Sequence, residues 1–126
     1  MNEEIFLDAA ERGDLDTVAE MVARGIDVNT KDEHDRTALY KAAKHGHFDI
    51  VKHLAEHGAD VDRHDNRGTS ALYWASTYGF AEMVQFLIDK KSDVDVHDDR
   101  GWSAKDQAAA HNHTQVVDLL NAAGAH

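Results

Sequence analysis

The chain has 126 residues, with 24 acidic and 13 basic side chains and a formal net charge of −11. That length suggests one domain, and so negative a chain argues against nucleic acid as a partner, because phosphate backbones call for clustered Lys and Arg. Cysteine is absent, which excludes a disulfide framework, a thiolate metal site and a cysteine nucleophile.

Apolar residues make up 42% of the chain, enough for a real core. The longest unbroken apolar run is Ala71–Ala75, far short of the roughly 20 residues that span a bilayer. No membrane partner is expected. The opening Met1-Asn2-Glu3-Glu4 is acidic where a secretion signal would be basic. A soluble, cytoplasmic protein is the expectation.

The chain repeats itself in steps of 33 residues. Ala9-Ala10 leads to Ala42-Ala43, Ala75-Ser76 and Ala108-Ala109. Gly13 leads to Gly46, Gly79 and Asn112, and Gly25 to Gly58, Lys91 and Gly124. Val18 leads to Val51, Val84 and Val117. The registers agree without insertion, so the chain reads as four copies, about 1–31, 32–64, 65–97 and 98–126, the first lacking its opening segment.

In chain order, the first copy opens on a polar helix carrying Glu4, Asp8 and Glu11. In the second, Thr37 is placed to cap a helix over Ala38–His45, which Gly46 ends. A second helix is predicted over about Phe48–His57, with Ile50, Val51 and Leu54 on one face and Gly58 as its stop. Residues Ala59–Asp65 then have turn chemistry rather than periodicity. The third copy follows the same plan. In the fourth, Lys105 and Asp106 stand where Leu39-Tyr40 and Leu72-Tyr73 stand in the middle copies. A lysine at a core leucine position is expected where no further copy covers it, so the two ends read as caps of a complete short array. One copy has too little apolar surface to bury alone, and stacked copies share a core.

These residues resemble the ankyrin repeat family. Thr37-Ala38-Leu39-Tyr40 followed by Ala42-Ala43 sits where that family has Thr-Pro-Leu-His and Ala-Ala. Gly46-His47, Ile50-Val51 with Leu54, and Gly58-Ala59-Asp60-Val61 match its helix turn, second helix and entry to the hairpin. Asp65-Asn66-Arg67-Gly68 and Asp98-Asp99-Arg100-Gly101 match its hairpin turn. The resemblance implies an all-α solenoid of stacked helix-turn-helix units with β-hairpin turns. Three departures stand out. The family's proline is Ala38, Ala71 and Ala104, and the chain has no proline at all; Ala also suits the first helical turn. The family's histidine is Tyr40 and Tyr73, so its hydrogen bond between repeats is not carried over. Asp35 replaces the turn glycine, so the first hairpin is expected to differ in shape.

No catalytic constellation is found. Ser70, Ser76 and Ser103 occupy capping or small-residue positions, and no phosphate loop or paired-histidine metalloprotease pattern occurs. Among the ten histidines, His53 and His57 share a helix face and could hold a metal with Glu56 or Asp60, while His64 and His97 are equivalent hairpin positions. A solvated surface is the expectation for each. No metal and no cofactor are expected. Protonating all ten would lift the net charge from −11 to −1, which predicts association that weakens or strengthens near about pH 6.

The resemblance further implies a binding scaffold whose contact surface is the concave side, formed by hairpin tips and exposed positions of the first helices. Carried over onto this sequence, that surface takes in Arg36, Lys41, Lys44 and His45 in copy two. It takes in Arg67, Trp74 and Tyr78 in copy three, and Arg100, Trp102 and His111 in copy four. Trp74 and Tyr78 are four apart on one helix face, and Trp102 stands on the next hairpin. Five basic residues gather there on an acidic protein, only partly offset by Glu33 and Asp99. Trp, Tyr and Arg are the usual anchors of interfaces. The back of the array, with Asp49, Glu56, Glu82, Asp89 and Asp118, is acidic. A monomeric, non-catalytic module for a protein or acidic-peptide partner is therefore expected. The competing readings are a His/Asp metal-dependent protein or small enzyme, and a passive spacer.

Overall fold

A computed structural model describes residues 2–126. Met1, the first residue of the acidic start, lies outside the described residues. These contain eight helices: α1 (Glu3–Arg12), α2 (Leu15–Ala23), α3 (Ala38–Lys44), α4 (Phe48–Glu56), α5 (Ala71–Thr77), α6 (Ala81–Asp89), α7 (Ala104–Ala110) and α8 (Thr114–Ala122). The architecture is an all-α repeat solenoid. Each odd helix packs on the even helix that follows it, and α1, α3, α5 and α7 stack on one another as an inner row.

The starts and stops follow the sequence. Asn2, Asp14, Thr37, Ser70 and Ser103 each cap a helix by accepting a backbone N–H with the side chain. Ser103 and Asp106 form a reciprocal capping box. The two helices expected in copy two are each one residue shorter, because His45 and His57 are their C-terminal caps.

Helices of seven to ten residues are marginal alone in water, so their apolar faces must supply the stability. Phe6, Leu39 and Leu72 occupy one register position of the inner row and are fully buried. Ile50, Val51 and Leu54 on α4 repeat as Met83, Val84 and Leu87 on α6. Together with Val116 and Leu120 on α8 they belong to one continuous core. Lys105, at the fourth place of the Phe6, Leu39, Leu72 position, is half-buried.

Backbone conformation obeys the same period. Every glycine has positive φ, and all fall at three register positions. Where a glycine is missing from one of these positions, the substitute adopts the same conformation: Asp35 at φ 64°, Lys91 at 71° and Asn112 at 61°. The first hairpin is therefore not reshaped, contrary to expectation. Asp32, Asp65 and Asp98 open three equivalent turns, each with a backbone bond to the residue four ahead at 3.1, 2.8 and 2.9 Å. The demand at Gly13 and Gly79 is also steric. A Cβ there would lie 2.6 Å from the His47 ring and 2.5 Å from the His113 ring of the next repeat. The hairpins are rudimentary as β-structure, with single antiparallel bridges at Lys31–Thr37 and His97–Ser103.

Candidate functional site

The inner helices and the hairpins form one face, and the hairpin aspartates organise it. In each turn one carboxylate oxygen accepts two backbone N–H groups, as Asp98 does from Arg100 at 2.9 Å and Trp102 at 3.0 Å. In the second and third turns the other oxygen is met by a side chain of the preceding repeat. Tyr40 donates its hydroxyl to Asp65 Oδ2 at 2.8 Å, and Tyr73 donates to Asp98 Oδ2 at 2.8 Å. This register position therefore does make a hydrogen bond between repeats, through a tyrosine hydroxyl. A phenol reaches far enough to make it from the same helical position. Burial, together with the Asp98 carboxylate, pushes the Tyr73 hydroxyl well above its ordinary pKa. Tyr40, buried beside Asp65, is pushed up to about 12.

The first repeat has Leu7 at this position, which has no hydroxyl to donate. There Asp32 Oδ2 is met instead by Arg36 Nε at 2.9 Å and Lys41 Nζ at 3.1 Å. Lys41 is buried and also lies 3.8 Å from Glu11. Burial alone would raise the Asp32 carboxyl. The backbone N–H groups of Arg36 and His34, with the Lys41 and Arg36 side chains, outweigh it and hold the group well below the usual carboxylate range.

These contacts divide the predicted surface. Arg36 and Lys41 lie in the ion-pair network around Asp32. His45 is exposed, 3.6 Å from Glu11. His111 is exposed at the end of α7, with its Nδ1 on the Gln107 carbonyl at 2.8 Å. Lys44 places its ammonium 4.4 Å from the centre of the Trp74 ring. Trp74 is half-buried, and its indole N–H donates to the Tyr40 hydroxyl at 2.7 Å. Tyr78 stacks on Trp74 at 5.8 Å between ring centres and is 47% exposed. Trp102 is 56% exposed.

Four of the ten predicted residues, Arg67, Trp74, Arg100 and Trp102, line a single cleft of about 310 Å³ between α5 and the last hairpin. Among the described residues, Arg67 and Arg100 form no ion pair. Tyr73 and Asp98 line the same cleft and were not among the predicted residues. The clue available was a phenol at a core position, which needs a polar partner when buried.

The acidic residues expected on the back, Asp49, Glu56, Glu82, Asp89 and Asp118, are all exposed. The His53 and His57 rings stack at 4.3 Å, with His57 Nδ1 on the His53 carbonyl. His64 faces Asp62 at 3.3 Å and His97 the Asp95 carbonyl at 3.3 Å. Among the described residues no three His, Asp or Glu side chains are grouped to hold a metal ion. No helix among the described residues is long and apolar enough to cross a membrane.

A family model for ankyrin repeats, in three copies, matches residues 6–98 and 64–126. No curated protein matches the chain. The family match spans nearly the whole length, and the helix pairs and aspartate-closed hairpins recur with its period: the chain belongs to the ankyrin repeat family.

Proposed function

We propose that this array is a non-catalytic module that seats a protein partner on its concave face, across repeats two to four. Ankyrin repeats are generally protein–protein interaction modules, and the site, not the fold, has to supply the rest. The observation that carries the reading is the exposure of Tyr78 and Trp102 on either side of Trp74, on the face made by inner helices and hairpins. Large aromatic rings left in water gain their burial only on binding. Arg67 and Arg100, free of internal ion pairs, favour an acidic partner surface.

The test compares affinity capture from cell extract by the wild type and by a Tyr78→Ala, Trp102→Ala, Arg67→Glu variant. All three side chains are exposed, so thermal unfolding should be unchanged. Trp74 is left intact because it is hydrogen-bonded to the preceding repeat. A Glu82→Lys, Asp89→Lys variant controls the opposite face. A partner kept by the wild type and the control but lost by the aromatic variant supports the reading. Loss in the control alone moves the site to the back of the array.

A further inference from the structure

On the inner face the boundaries between neighbouring repeats differ at one register position, held by Lys41, Trp74 and Gln107. At the first boundary that position is Lys41, held against Asp32 and Glu11 in the lining of a cleft of about 460 Å³ whose other walls are largely charged, with Glu3, Glu4 and Asp8 among them. In the second it is Trp74, whose indole lies over the preceding repeat and donates to Tyr40 and Thr69 at 2.7 and 3.2 Å. In the third it is Gln107, a smaller side chain on α7. The third cleft differs from the first in having aromatic walls, Tyr73, Trp74 and Trp102, with Gln107, Arg67, Arg100 and the Asp99 carboxylate also in its lining.

We infer that this third cleft is the anchor pocket of the interface, and that it takes an aromatic side chain of the partner flanked by a carboxylate. The inference rests on the proposed interaction function and names the chemistry that the surface selects. Aromatic walls favour an aromatic guest, since ring pairs gain beyond the area they bury. The second boundary shows the fit within the protein itself, where an indole occupies the equivalent space. The charge preference follows from the hairpin. Asp98 is engaged by the Tyr73 hydroxyl and two backbone N–H groups. It competes little for the two guanidinium groups, and Asp99, the other carboxylate in the lining, makes no ion pair with either of them. Guanidinium and carboxylate form charge-assisted, bidentate pairs.

Three capped tripeptides test this by NMR on the nitrogen-15-labelled chain: acetyl-Glu-Trp-Glu-amide, acetyl-Lys-Trp-Lys-amide and acetyl-Glu-Ala-Glu-amide. The first should give saturable shifts of the Trp102 indole N–H and the Gln107 side-chain amide. The other two should bind at least about tenfold more weakly. Gln107→Trp should plug the cleft as Trp74 plugs its own and abolish the shifts. Arg67→Glu with Arg100→Glu, both at exposed positions, should reverse the preference toward the lysine peptide. Equal response to all three peptides, no saturable response, or shifts gathered around Lys44 and His45 would overturn the anchor pocket. The last of these would leave the concave-face reading standing. Shifts confined to α4, α6 and α8 would overturn both.

Discussion

Tyr73 donates its hydroxyl to Asp98 across the boundary between the third and fourth repeats, at 2.8 Å. The aspartate in turn holds the last hairpin closed through Arg100 and Trp102. One side chain thus links the inner helix of one repeat to the turn of the next, and so positions Trp102 and Arg100 at the candidate cleft.

Removing that hydroxyl should loosen the hairpin without emptying the core. Tyr73→Phe is expected to cost about 1–2 kcal/mol, because Asp98 loses its donor while the ring stays packed. Tyr78→Phe, whose ring is 47% exposed, should change stability by less than about 0.5 kcal/mol. Urea unfolding of both variants measures the difference. Equal losses would show that the Tyr73 bond contributes nothing of its own.

In the first turn the aspartate oxygen that tyrosine meets in the others is met by Lys41 of the same repeat. Truncating Lys41 to alanine leaves a largely buried carboxylate with only Arg36 opposite, and is expected to cost about 2–3 kcal/mol. The effect is pH-dependent with a definite sign. Asp32 titrates below its ordinary value in the folded chain, so its contribution is present above the unfolded value near 4. It is lost as pH falls toward the folded value. The stability gap between the wild type and Asp32→Asn should therefore be full at neutral pH and narrow steadily from about pH 5 to about pH 2. Denaturant midpoints across that range check it, and a constant gap would contradict the assignment.

Lys91 is the one non-glycine among Gly25, Gly58 and Gly124 and holds φ at 71°. A lysine in the left-handed region is strained, so Lys91→Gly should raise stability by about 1 kcal/mol. Asn112, at φ 61° in the Gly13 register, is a better-tolerated substitute. Asn112→Gly should gain clearly less. Thermal unfolding of the two variants side by side gives the order.

Among the described residues two buried hydroxyls have no hydrogen-bond partner, Ser76 Oγ and Ser92 Oγ. Their register neighbours are Ala10, Ala43 and Ala109 for the first, and Ile26, Ala59 and Ala125 for the second. Ser76→Ala and Ser92→Ala should each stabilise the chain by about 1 kcal/mol, since alanine fills the site without a stranded polar group. A loss on either substitution, measured by urea unfolding, would mean that the hydroxyl finds a partner in solution.

Much of this molecule is legible along one dimension. The 33-residue step, the helix caps at Thr37, Ser70 and Ser103, and the buried faces at Leu39, Leu72, Val51 and Val84 are all written as residue type at fixed spacing. A solenoid makes this possible, because each repeat contacts only its neighbours and local pattern maps directly onto three-dimensional place. What residue type and spacing did not reveal was which charged and polar groups find one another. Arg36 and Lys41 look as available as Arg67 and Arg100 when counted along the chain, yet the first two are tied to Asp32 and the second two are not. Whether Leu7 or a tyrosine stands at that register decides which group meets the hairpin carboxylate, and that is a matter of reach between repeats. The fold followed from period and polarity; the division of its inner face into an ion-paired end and an aromatic cleft came only from the packing of one repeat on the next, since side-chain pairing depends on distances between repeats that no linear pattern records.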